Sequence, residues 1–203
     1  MSLRSSWWIV LSLVLSSCGG KSFESADELK SFINDEDNGY KYIAVVNGVE
    51  YSLLYKPTDL LVLQDVGTER VDNEKVRLLR QKYGRYMYFT LSMSINDTEL
   101  LSQVAQDKSK FGRMLNDLAF QMDQKVHLYT KFKDTVPMTD FIYPRMFGAS
   151  KSTNILIVYP RKSDILREDY LNFSIEDLGF NTGEVKFKVR NEAVLNEPQI
   201  RFN

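Results

Sequence analysis

"KYIAVVNGVEYSLL", residues Lys41 to Leu54, decides the fold. Asn47-Gly48 lies between two apolar runs, and such a pair favours a two-residue type I′ turn because both residues accept positive φ. The turn sets the register: Val46 opposes Val49, Ala44 opposes Tyr51, and Tyr42 opposes Leu53. Side chains alternate along a strand, so these six share one face. The other face, with Lys41, Ile43, Val45, Glu50, Ser52 and Leu54, is mixed. An antiparallel hairpin with one face to bury is the seed of the structure.

Upstream, Ser25-Ala26-Asp27-Glu28 matches a capping box. Leu29, Phe32 and Ile33 fall on one face of the helix it starts, and Asn38-Gly39 supplies a stop. The acidic run Asp35-Glu36-Asp37 lacks the alternating ligands and closing glutamate of a calcium loop, so it reads as a solvated helix end. Downstream, residues 58–66 fit either a short helix or a strand. Asp72 to Lys82 predicts a helix ending before Gly84.

Tyr86 to Ile95 alternates, with Met87, Phe89, Leu91, Met93 and Ile95 on one side. Asp97 can then cap a long amphipathic helix over about 97–124. Leu101, Val104, Phe111, Met114, Leu115, Leu118 and Met122 form its core-facing stripe. Gly112 costs about 1 kcal/mol relative to alanine inside such a helix, which close packing on the sheet would explain. The rest reads as strands. Val126, Leu128, Thr130 and Phe132 alternate, and Phe141 to Phe147 with Asn154 to Tyr159 flank the turn-rich "GASKST" as a hairpin. Leu171, Phe173 and Ile175, then Val185, Phe187 and Val189, mark two more strands.

Strands, a long helix and more strands predict an α+β fold: a largely antiparallel sheet, with the long helix and shorter ones packed on one face. A β-sandwich with helical insertions is the alternative. At 203 residues, with 43% hydrophobic and 12% aromatic side chains, one domain over 25–203 is expected. The formal net charge of −1 lacks the basic excess that nucleic acid demands.

The composition also narrows the chemistry. A single cysteine allows no internal disulfide. His127 is the sole histidine, and its neighbours Val126 and Leu128 take the buried face, which sends it to the polar one. No thiol or histidine set for zinc is present, and no phosphate-cradling glycine motif. We therefore expect no metal, no cofactor and no catalytic residues. Glu176-Asp177 and Asp35-Glu36-Asp37 are the notable acid clusters, both read as solvent-facing. Asn96-Asp97-Thr98 and Asn172-Phe173-Ser174 match a eukaryotic glycan acceptor.

The opening segment is more specific. Met1 to Ser6 carries one cation, Arg4; Trp7 to Leu15 is apolar but for Ser12; Ser16 and Ser17 are small. That is the layout of a secretory signal peptide, and too short for a span of about 20 apolar residues. Leu15-Ser16-Ser17-Cys18 resembles the lipobox of bacterial lipoproteins. The resemblance implies removal of residues 1–17 and a lipid on Cys18, the attachment to the membrane. Being bacterial, it also makes the two eukaryotic glycan-acceptor matches a coincidence. Removal takes one cation, Arg4, and no acid, so the mature charge becomes −2. Gly19 stands where an aspartate would signal inner-membrane retention, which implies the outer membrane. Residues 18–24 are expected as a flexible tether of at most about 25 Å. "FINDEDNG" (32–39) and "YKPTDLL" (55–61) resemble uncharacterised lipoproteins of Gram-negative bacteria, a resemblance that carries no activity.

Two surfaces suit recognition. Tyr143-Pro144-Arg145 and Tyr159-Pro160-Arg161 repeat on either side of "GASKST". A hairpin there could bring both units to one end of the sheet, together with Lys162. Tyrosine and arginine favour interfaces, though prolines also simply end strands. Lys186, Lys188 and Arg190 line the polar face of one strand, where lysines discourage edge-to-edge pairing. The expectation is a lipid-anchored, non-enzymatic envelope protein, an accessory or binding subunit for a protein partner. A glycan or peptidoglycan-fragment binding module is the alternative, and a carboxylate-dependent hydrolase the third reading.

Overall fold

The computed structural model describes residues 20–67, 72–146 and 148–202; the lipobox and Cys18 lie outside them. Strand β1 (Ser22–Phe23) leads into helix α1 (Ala26–Asn34), then the hairpin β2 (Lys41–Val46) and β3 (Val49–Lys56). Helices α2 (Thr58–Val66) and α3 (Asn73–Tyr83) precede β4 (Tyr86–Ser94). Next come α4 (Leu100–Gln103), α5 (Lys108–Phe120) and α6 (Met122–Lys125). Strands β5 (Val126–Tyr129), β6 (Thr135–Val136), β7 (Asp140–Ile142), β8 (Thr153–Pro160), β9 (Tyr170–Ile175) and β10 (Val185–Arg190) follow. The described chain closes with α7 (Asn191–Leu195) and β11 (Gln199–Ile200).

Two antiparallel sheets result, ordered β2-β3-β4-β8-β7 and β10-β9-β5-β6, and with a third of the chain in helix the fold is α+β. The seeding hairpin has the register its turn requires: Val46 faces Val49, Ala44 faces Tyr51, and Tyr42 faces Leu53. Asn47 and Gly48 both take positive φ, 48° and 78°. The alternation in β4 also holds, since Met87, Phe89, Leu91 and Met93 are all 0% exposed. Phe89 meets Phe173 of β9 with ring centroids 5.7 Å apart, so the apolar faces of the two sheets share one core. That pairing of sheets is the feature the sandwich alternative carried.

The expected long helix is in three pieces. Asp97 does not cap it: Asn96 and Asp97 take positive φ in a tight turn that bridges Ile95 to Thr98. The chain stops being helical after Gln103, and Asp107 opens α5 by accepting the amides of Ser109 and Lys110 at 3.0 Å each. The first break is a short acidic side chain offering the backbone a local alternative; the second falls at Gln121, whose backbone leaves the helical region with φ −130° and ψ 18°. The stripe divides accordingly. Met114, Leu118 and Met122 enter the core, whereas Leu101, Phe111 and Leu115 are half-buried. Gly112 packs on nothing, for a Cβ built there meets no atom within 4 Å. Gly112→Ala should therefore stabilise the domain by about 0.5–1 kcal/mol, read from urea unfolding.

Three smaller expectations also change. Strand β5 ends at Tyr129 because Thr130 and Asp134 close a turn, leaving Phe132 70% exposed. The capping box forms with a shifted partner: Ser25 Oγ accepts the Glu28 amide, but the Glu28 carboxylate takes the amide of Glu24. The tether is the larger correction. From Lys21 onward it is pinned, with Gln199 donating to the Lys21 carbonyl and β1 running parallel to β11. Among the described residues no helix is long and apolar enough to cross a membrane.

Candidate functional site

A pocket of about 310 Å³ opens where the broken helix faces the exit of β7. Leu101, Ala105, Phe111 and Leu115 make its wall, and Glu99, Ser102, Tyr143, Arg145 and Gly148 supply the polar groups. The wall exists because the helix breaks: an uninterrupted helix would have turned those side chains into one core stripe. Apolar walls with a few convergent polar groups are what ligand pockets present.

Glu99 is the unusual member. It stands at the start of α4, where Leu100 donates its amide to the buried Thr153 hydroxyl at 3.0 Å. The Glu99 side chain does not cap that helix; its Oε2 accepts the Gly148 amide at 2.7 Å. The residue is 3% exposed, yet no basic side chain among the described residues forms an ion pair with it. Buried carboxylates are ordinarily paired. Tyr143 is half-buried beside it. Burial pushes its phenol up, the Glu99 charge adds to that, and the Arg145 charge opposes it, which places the hydroxyl in the field of both.

The two Tyr-Pro-Arg units are not brought together. In the β7–β8 pairing Asp140 faces Val158 and Ile142 faces Leu156, so Tyr143 falls level with Ile155 and Tyr159 level with Thr139. The units are thus four residues apart along β8, about 13 Å. The reason is antiparallel geometry: the trailing ends of successive strands point opposite ways. The strand also stops at Ile142, short of the expected Phe147, a residue outside the described ones. Tyr143 and Arg145 border the pocket, with Arg145 exposed.

The second unit is structural. Tyr159 is 0% exposed, its hydroxyl 3.5 Å from the Val126 carbonyl, and burial pushes its phenol far up. Arg161 pairs with Glu197 at 3.0 Å and also donates to the Val194 carbonyl. Lys162 is simply exposed. Glu197 further accepts the Tyr55 hydroxyl and the Thr58 amide, so its carboxylate is fully engaged. Asp59 beside it holds Arg80 through both oxygens, at 2.8 and 2.6 Å, and accepts the Ile200 amide. These two acids line a polar cleft of about 360 Å³, but each is already matched by an arginine. The cleft is a clamp on the C-terminal strand.

The remaining titratable candidates are also internally engaged. His127 lies 3.1 Å from Glu176, and that contact, with Lys125, holds the Glu176 carboxyl below its usual range. Asp177 turns back to accept the amides of Gly179, Phe180 and Asn181, so it does not share a cleft with Glu176. On β10, Lys186 pairs with Glu184, and the Lys188 ammonium sits 5.1 Å from the Tyr170 ring. Arg190 donates to the Asp37 carbonyl at 3.4 Å. Sequence reasoning missed Glu99, because burial of an acid at the start of a short helix has no periodic signature. No protein-family model, curated protein or solved structure matches this chain.

Proposed function

We propose that this chain is a lipid-anchored, non-enzymatic protein of the cell envelope, held in the outer membrane through Cys18, that binds a protein partner at the Glu99 pocket. The lipobox-like Leu15-Ser16-Ser17-Cys18 carries the anchoring half of the reading. The pinning of Lys21 sharpens it: three peptide steps separate Cys18 from the fixed backbone, at most about 11 Å. A partner would have to meet the domain at the membrane surface.

The pocket supports binding over catalysis. Its single acid has no second carboxylate or base beside it in the lining, and the acids of the polar cleft are neutralised by Arg80 and Arg161. The apolar wall also favours a protein side chain over a sugar, whose hydroxyls would find there few groups to bond. A photo-crosslinking residue at Leu115 in the full chain should give a discrete adduct in cells. The same probe at Phe132, exposed elsewhere, should not. Equal adducts from both positions, or none from Leu115, would contradict the reading. Cys18→Ala should reduce the Leu115 adduct by releasing the protein from the surface where its partner resides.

A further inference from the structure

The proposal that follows rests on the reading of the Glu99 pocket as a binding site and names its ligand chemistry. We infer that the pocket receives a basic side chain of the partner, a lysine or arginine, with its apolar stem along Leu101, Ala105, Phe111 and Leu115 and its charged head on Glu99. Three observations carry this. The residue is almost wholly buried, and only one of its carboxylate oxygens has a hydrogen-bond partner among the described residues, the Gly148 amide. A carboxylate accepts through both oxygens, so the second is the acceptor a donor cation would complete. The wall is hydrocarbon, which suits the methylene stem that lysine and arginine lay along apolar surface.

Other occupants fit worse. An anion would approach a buried negative charge. A purely apolar side chain would strip water from the open Glu99 oxygen and return nothing, the case in which a buried polar group costs most. A lysine or arginine satisfies both parts of the pocket at once. Arg145 stands at the rim, exposed, where solvent screens its repulsion of an incoming cation.

The test uses n-butylammonium and n-butylguanidinium as probes, with butyrate as a control of matched length, followed by chemical shifts in the folded chain. Both cations should perturb Leu101, Ala105, Phe111 and Leu115, and butyrate should not. Glu99→Gln keeps an oxygen for the Gly148 amide, so the fold is retained, and it should weaken cation binding at least tenfold. Arg145→Ala should leave that binding unchanged or tighten it. Butyrate binding lost in Arg145→Ala would overturn the inference in favour of an anion, and the absence of any response to either cation would overturn it outright. The outcomes separate from those of the crosslinking test. A Leu115 adduct without cation binding would leave the partner reading standing with its chemistry wrong; cation binding without an adduct would do the reverse.

Discussion

Asp59→Ala is expected to lower the stability of the domain by about 2–4 kcal/mol, because it strips a partly exposed arginine and a buried amide of their shared acceptor. Asp59 is 2% exposed and holds both the Arg80 guanidinium and the Ile200 amide. Arg80 also donates to the Ile200 carbonyl at 3.0 Å, so the pair grips β11 from both sides of one residue. Strand β1 is paired to β11 in turn, which makes the attachment of the N-terminal segment depend on the same acid. Without the carboxylate, an arginine and a buried backbone amide lose their shared partner. At roughly 2–4 °C per kcal/mol for a domain this size, melting should fall by about 4–16 °C. Asp59→Asn keeps an acceptor for Ile200 and should cost less. A loss below about 1 kcal/mol for alanine would mean that the clamp is idle.

The second large effect concerns location. Cys18→Ala should move the protein from the membrane fraction to the soluble one almost completely. Each buried methylene contributes about 0.8 kcal/mol, and a single chain holds only marginally while several hold firmly. Removing the one attachment point removes them all. The pinned backbone at Lys21 adds a geometric consequence. A domain on a leash of about 11 Å would not search far from the bilayer, so loss of the lipid should also reduce encounter with a membrane-bound partner. A soluble variant that still fractionates with membranes would point to some other surface as the attachment.

Much of the fold was legible because it follows from short-range physics. Asn47-Gly48 dictated a turn, the turn dictated a register, and alternation in 86–94 dictated a buried face. The run from Asp72 to Lys82 and the stop at Gly84 likewise placed α3, and Asp72 proves to be its cap, accepting the Glu74 amide. What failed to show in the sequence depends on competition between local choices. An apolar stripe at spacings of three and four cannot say whether Asp107 will restart the helix. That restart created the pocket wall from residues read as core.

The candidate site was half legible. Tyr143 and Arg145 drew attention as interface residue types, and they border the pocket. Their repeat at Tyr159 and Arg161 was a coincidence of sequence, separated by the direction of the strands. Glu99 could not be singled out among 27 acids, since burial and the Gly148 amide arise from chain segments 49 residues apart. From Lys21 onward the tether was misread for the same kind of reason. A Gly-Gly-Lys-Ser stretch has the composition of a linker, and the pairing of Ser22 and Phe23 with the far C-terminal strand is invisible locally.

The most direct measurement is the mass of the N-terminal peptide from protein made in its native membrane. The account predicts a chain beginning at Cys18 whose sulfur carries a diacylglyceryl group, with a further acyl chain on the new amino terminus. An intact leader, or an unmodified start at another residue, would contradict it and remove the basis for placing this domain at a membrane.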